Sequence, residues 1–173
     1  MIYSKYIQLV EDHAEELTNR WKKEIKINPS TSGYKDLDDS VLGSRVYDVY
    51  RRLGEWLDSA DLNSPKVAEH FIQLGRDRAT EKLKSSEVIY ALLLTRVVLW
   101  KYITNHSVIS SSLDLHNSLE FYQLLITFFD KATYFTAVGF ESIQKEVQEK
   151  INKEDFIEKA VQGLTDWITR KNN

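Results

Sequence analysis

The chain has 173 residues, a length that fits one domain, and its balance of 42% hydrophobic and 28% charged residues is that of an ordinary soluble globular protein. The net charge of −3 gives no support for nucleic-acid binding, which needs a concentrated basic face. The absence of cysteine excludes disulfides, thiol catalysis and cysteine-ligated metals. No secretory signal and no apolar run long enough for a membrane are predicted, so we expect a cytoplasmic location.

Apolar residues recur at helical spacing along the whole chain, and only two prolines and six glycines interrupt it. We therefore predict an all-α bundle of about five to six helices. Ser64 and Pro65 are typical of a helix start, as a cap followed by proline at the first helical position. The first four predicted helices run from about Ile2 to Ile27, from about Asp38 to Ser59, from Pro65 to about Leu83, and from Ser85 to about Asn105.

The fifth predicted helix is unusually long, from Leu113 to about Ile151, because no proline interrupts its pattern. At about 1.5 Å per residue it could reach almost 60 Å, roughly twice the width of a small domain. Either it breaks near Gly139, or its C-terminal half projects from the body. We interpret residues 1–151 as one domain, and residues 152–173 as a short amphipathic helix that belongs to it or contacts a partner.

A single charge, Arg96, lies in the otherwise almost wholly apolar run from Ile89 to Trp100. This pattern predicts a helix enclosed by protein on most sides, where an arginine is costly unless it is paired. Arg78 lies on the same face of the third predicted helix as His70, at the edge of that helix's apolar face. Asp130 follows two phenylalanines on the fifth helix.

We therefore predict a buried or half-buried polar network of Arg78, Arg96 and Asp130, with His70 beside it. Such a network either fixes the register of the helices or binds an anion. The alternative is that both arginines lay their aliphatic stems on apolar surface and reach water.

No catalytic motif is present, and we interpret the protein as non-enzymatic. No histidine has a carboxylate three residues before it, which is the spacing of helical metal sites, so no metal or cofactor is predicted. A ligand carrier or haem-binding protein that uses His70 or His106 as its axial ligand remains an alternative.

Aromatic residues crowd the fifth helix on two neighbouring faces. Phe121, Phe128 and Phe135 are seven residues apart and share one face, and Tyr122 and Phe129 lie on the next. One apolar face of the helix is enough to pack on the core of a single domain. The second apolar face therefore predicts packing on another subunit. We take Phe121, Phe128 and Phe135 as the candidate dimer interface; the alternative is that the other helices cover them.

The segment VAEHFIQLGRDRATEKLKSSEVIYALLLTRVVLWKYI resembles the signature region of the RsbT co-antagonist N-terminal domain family, the sensor domains of bacterial stressosome proteins and related histidine kinases. The family pattern has a histidine, an Arg-x-Arg-Ala turn, a polar helix start, and an apolar helix with an internal arginine. Here the matching residues are His70, Arg76, Arg78, Ala79, Ser85–Glu87, Arg96, Leu99 and Trp100. Leu9–Trp21 and Phe129–Ala132 resemble the family's opening and final helices.

This resemblance spans roughly residues 5 to 150. It implies a globin-like helical fold without haem that dimerises through its terminal helices. In the family the domain usually precedes an output domain, whereas a short helix follows residue 151 here. The resemblance therefore implies a non-enzymatic sensory or signalling domain that acts by helix shifts in a homodimer, with a signalling protein as a further partner.

Overall fold

The computed structural model describes residues 3–59, 65–106 and 111–171. Every regular element in these ranges is helical and none is a strand, so the predicted all-α class is confirmed. A 3-10 helix, Pro29–Tyr34, lies between the second and third α-helices. The α-helices are α1 Ser4–Asp12, α2 Ala14–Ile27, α3 Asp39–Arg51, α4 Leu53–Ser59, α5 Pro65–Thr80, α6 Ser85–His106 and α7 Ser112–Lys171.

Two of the predicted helices are each broken by one residue, so the predictions of single helices were wrong there. His13 (φ −114°, ψ 23°) separates α1 from α2, and Arg52 (φ −123°, ψ 34°) separates α3 from α4. Buried residues continue at helical spacing across each break, for example Val10 and Ala14 at the first. The apolar pattern alone therefore contains no sign of the bends.

The longest element, α7, is one continuous helix of 60 residues, which corresponds to a length of about 90 Å. It does not break at Gly139, so of the two alternatives the projecting helix is the one the structure shows. The short helix predicted from Lys153 is not a separate element but the C-terminal part of α7.

The core lies between the first half of α7 and the helices around it. Three aromatic rings join α4, α5 and α7: the Phe71 centroid lies 6.0 Å from that of Trp56 and 5.8 Å from that of Phe128. Helix α6 is buried on several sides, through residues such as Leu99 and Tyr102. The prediction that the Ile89–Trp100 run is largely enclosed is therefore confirmed, although Val97 on its outer side is exposed.

Helices α5 and α7 touch backbone to backbone where two glycines meet. A Cβ atom on Gly75 would lie 2.1 Å from the carbonyl oxygen of Thr136, and one on Gly139 would lie 2.1 Å from the carbonyl oxygen of Ile72. Both obstacles are backbone atoms inside helices, so neither can turn aside as a side chain could. The two helices can therefore lie this close only because neither position has a side chain.

We expect Gly75→Ala and Gly139→Ala each to lower the free energy of unfolding by about 1–3 kcal/mol or more, because the added methyl group forces the helices apart. Urea unfolding followed by circular dichroism measures this change. Gly43→Ala is the matched control within α3, since its Cβ would meet only the Thr18 methyl carbon at 3.7 Å. Alanine there should leave stability unchanged or raise it slightly. Equal effects at all three glycines would contradict the close crossing.

Candidate functional site

The structure brings Arg96 and Asp130 together at the contact between α6 and α7. Arg96 Nη1 lies 3.6 Å from Asp130 Oδ1, and the two side chains are 23% and 67% exposed. The pair therefore lies at the surface edge of the helix contact rather than in the core. At this distance and exposure it is a weak ion pair.

We expect Asp130→Asn to change the free energy of unfolding by less than about 1 kcal/mol, because water screens an exposed pair of this kind. Thermal and urea unfolding at low and high salt give the value. A loss of several kcal/mol would show that the pair fixes the register of α6 and α7, as the sequence suggested.

Arg78 belongs to a different cluster, between α3 and α5. The Glu81 carboxylate accepts a hydrogen bond from Arg78 Nη1 at 2.8 Å and another from Arg45 Nη2 at 2.7 Å. The side chains of Arg78 and Arg45 are only 15% and 8% exposed. Two largely buried guanidinium groups thus share one carboxylate. The expected network of Arg78 with Arg96 and Asp130 is replaced by this arginine cluster (Arg45, Arg78 and Glu81).

Arg45 was not singled out from the sequence, and its bonding is incomplete. Its Nε and Nη1 atoms are buried and make no hydrogen bond. The guanidinium carbon lies 5.6 Å from the centroid of the Tyr34 ring. Burial raises the pKa of Tyr34 to about 12, although the positive charges of Arg78 and Arg45 oppose the rise. Tyr34 is therefore neutral at physiological pH and adds no counter-charge.

Two spaces adjoin the arginine cluster. An inner cavity of about 30 Å³ is walled mainly by apolar side chains, among them Trp21, Phe71 and Leu92. It has room for one or two water molecules. An open groove of about 230 Å³ lies between α3 and α5, with Asp48, His70 and Asp77 on its walls. Four residues line both spaces, so the groove and the cavity are neighbours: Arg45, Val49, Leu74 and Arg78.

His70 lies on this groove, and its ring packs against Trp56 with centroids 4.7 Å apart. Burial lowers its pKa, which favours the neutral ring. The other histidine considered as a haem ligand, His106, stacks on Tyr102 at 4.1 Å, and its Nδ1 lies 2.8 Å from the Tyr102 carbonyl oxygen. Neither space beside the arginine cluster reaches the roughly 300 Å³ of pockets for larger ligands. No observation on the described residues favours a haem.

Two of the residues expected at a dimer interface lie inside the single chain. Phe121 and Phe128 are fully buried, and Phe121 stacks on Tyr6 with ring centroids 5.1 Å apart. They have no free surface for a second copy, so a dimer contact cannot use them in this fold. Phe135 is partly buried against the same core. The seven-residue spacing marks the face of α7 that packs on its own domain.

A different part of α7 is free of the body. Every described side chain between residues 144 and 159, here called the exposed segment, is solvent-exposed. Arg76 of α5 donates a hydrogen bond to Ser142, just before the exposed segment, at 2.7 Å. It donates a second to Glu146, near the start of the segment, at 3.0 Å. Beyond Glu146 the segment presents the half-exposed side chains of Val147, Ile151 and Ile157.

A buried carboxylate, Glu87, anchors the start of α6 and is only 6% exposed. It accepts hydrogen bonds from the backbone of Gly33 at 2.8 Å, the Ser32 hydroxyl at 3.0 Å and the backbone of Lys84 at 3.1 Å. Burial raises the pKa of Glu87, but these three hydrogen bonds lower it more, so the pKa lies below its usual value. The contact with Lys84 is half of a capping box, in which the third helical residue accepts from the backbone of the residue before the helix. The contacts with the 3-10 helix had no signal in the sequence.

We expect Glu87→Gln to lower the free energy of unfolding by about 1.5–3 kcal/mol at pH 7, because hydrogen bonds to the charged carboxylate are lost. The folded pKa is lower than the ordinary value of 4.5. The stabilisation is therefore complete above that pH and is lost as the pH falls through the folded pKa. The two proteins should then converge in urea unfolding at acid pH. Glu149→Gln on the exposed segment is the control and should match the wild type throughout; a constant difference for Glu87→Gln at every pH would contradict this account.

Within the described ranges, no three histidine, aspartate or glutamate side chains are grouped so that they could hold a metal ion. No described helix is long and apolar enough to cross a membrane.

Comparison with protein families decides the class of the domain. The profile of the RsbT co-antagonist protein RsbRD N-terminal domain matches residues 15–151, which is most of the chain. The chain belongs to this family. The predicted resemblance is thus confirmed, and this RsbRD-type domain is of the stressosome class of sensory and signalling domains. No curated protein and no solved structure matches the chain.

The matched region begins at the start of α2 and ends within the exposed segment of α7. It includes both glycines of the α5–α7 crossing and the whole arginine cluster. The family is one of regulatory domains and not of enzymes. The all-α architecture is compatible with the globin-like fold that the resemblance implies.

Proposed function

We propose that this RsbRD-type domain is a non-enzymatic sensor that acts as a homodimer and transmits small shifts of α7. The observation that carries the proposal is the continuity of α7, which runs without a break from the core into the exposed segment. We further infer a cytoplasmic location and a signalling protein as the partner that receives the change.

The first half of α7 responds to changes in the packing of the other helices because it forms part of the core. Phe121, Leu125, Phe128 and Ala132 are all fully buried against the other helices. A rearrangement of these contacts therefore moves the helix, and the exposed segment moves with it. Translations and rotations of helices by about 1–2 Å are a common mode of switching at subunit interfaces.

The exposed segment carries features that favour a second copy as its partner. A lone helix of this length is only marginally stable in water without packing on one side. Val147, Ile151 and Ile157 lie within about 120° of one another around the helix. Each is about half exposed, whereas Phe156, on the other side from Val147, is 73% exposed. Two copies side by side would cover these residues. Lys150 and Glu154 lie on the same face, where polar residues lower the stability of pairing but specify its register.

We expect Ile151→Glu to convert the dimer into monomers, because it replaces one of the three apolar side chains of the contact with a charged one. Asn152→Glu is the matched control, since the same side chain is then introduced about 100° further round the helix, outside the face of Val147, Ile151 and Ile157. Analytical ultracentrifugation measures the mass of each protein. A monomeric wild type, or a dimer undiminished by Ile151→Glu, would remove the proposed interface.

The absence of cysteine makes a second measurement simple. Ile151→Cys should form a covalent dimer under mild oxidation, whereas Asn152→Cys should do so much less, because only the first would face its counterpart. Equal crosslinking by both would argue against parallel pairing through this face.

A further inference from the structure

Arg45 is buried, and the protein satisfies its guanidinium group only in part. Its side chain is 8% exposed, and its Nε and Nη1 have no acceptor. A buried donor of a charged group that makes no hydrogen bond is left with the cost of its lost hydration. Glu81 cannot serve them, since it is shared by Arg45 Nη2 and Arg78. The unbonded nitrogen atoms leave a place for an acceptor that comes from outside the chain.

The groove between α3 and α5 gives such an acceptor a path. It opens to solvent and is lined by Arg45 and Arg78, which also line the apolar inner cavity. Val49 and Leu74 flank the two arginines on both spaces. A molecule at the inner end of the groove would thus meet positive charge and aliphatic surface together.

We propose that this site binds a small organic monocarboxylate. Its carboxylate supplies the oxygen acceptors that Arg45 lacks, as arginine–carboxylate pairs commonly do. A short aliphatic part would pack on Val49 and Leu74. The groove of about 230 Å³ is smaller than the roughly 300–1,000 Å³ of pockets for drug-sized ligands, which limits the ligand to a few carbon atoms.

The other charges on the groove select for a single negative charge. Asp48, which is bonded to Arg52 at 3.2 Å, and Asp77, which accepts from Gln73 at 2.7 Å, both line the walls. They repel a second negative charge on the ligand. Phosphate and dicarboxylates should therefore bind more weakly than a monocarboxylate of similar size, and phosphate also lacks an apolar part.

Binding at this site would also reach α7. Arg78 lies one turn after Gly75, where α5 touches the backbone of α7. An anion that draws Arg45 and Arg78 together would shift α5, and the α5–α7 crossing would pass the shift on. This last step rests on the proposed function of the domain, but binding itself does not.

The test is a titration of the full chain with sodium butyrate at constant ionic strength. Binding is monitored by calorimetry and by tryptophan fluorescence, to which Trp21 beside the cavity contributes. We expect saturable binding, and at least tenfold weaker binding of butyramide, succinate and inorganic phosphate. No saturable binding of butyrate, or equal binding of butyramide, which has the same shape without the charge, would overturn the proposal.

Variants then locate the site. Arg45→Met should weaken butyrate binding at least tenfold without lowering the thermal midpoint of unfolding, because a similar apolar side chain replaces an incompletely bonded buried charge. Arg20→Met is the control, since Arg20 is a surface residue paired with Glu16, and its affinity should be that of the wild type. Glu81→Gln should bind butyrate several-fold more tightly, because it removes the anion that competes for both arginines.

Unchanged affinity in Arg45→Met, or weaker binding in Glu81→Gln, would overturn the assignment. If Arg45→Met does not fold, Arg78→Met is measured in the same way and should also lose at least tenfold in affinity. Titration of Ile151→Glu separates the two proposals. Butyrate should bind this variant as it binds the wild type, so a failure of the dimer interface would leave the ligand site standing, and the reverse also holds.

Discussion

The contact between the Gly75 and Gly139 backbones is the constraint on which the rest of the structure depends. Because neither glycine has a side chain, α5 and α7 lie closer together than packed side chains would permit. Phe71, one turn before Gly75, then reaches Trp56 and Phe128, and this aromatic group holds α4 in place. Helix α5 also forms one wall of the groove, and the side chains of α7 become exposed a few residues after Gly139.

Two buried charges illustrate opposite uses of the interior. Glu87 is surrounded by three donors and holds the 3-10 helix to the start of α6, so its charge stabilises the fold. The Glu87 carboxylate thus makes a structural contact with all of these hydrogen bonds formed. Arg45 is buried to a similar extent, yet two of its donors have no acceptor. Arg45 therefore reduces stability as it stands, which is the condition under which an external anion gains most from binding.

The sequence predicted the helices well because each needs only local spacing of apolar residues. It failed at His13 and Arg52 because the apolar spacing continues through both bends. It paired Arg96 with Asp130 because Arg96 is the single charge in an apolar run, whereas Arg45 lies in a helix with other charged residues and did not stand out. The seven-residue spacing of Phe121 and Phe128 showed a shared face, but spacing cannot distinguish a face covered by the same chain from one covered by a second copy. The exposure of α7 beyond Glu146 was the clearer sign of a free surface.

The uninterrupted course of α7 has a geometric consequence. From Gly139 to Lys171 the helix axis extends about 48 Å at 1.5 Å per residue. A tilt of about 2° at the glycine crossing would therefore displace the far end by roughly 1.7 Å, the size of displacement that rearranges subunit interfaces. A tilt too small to disturb the packing of the core thus becomes a larger displacement at the far end, because the helix is long and continuous.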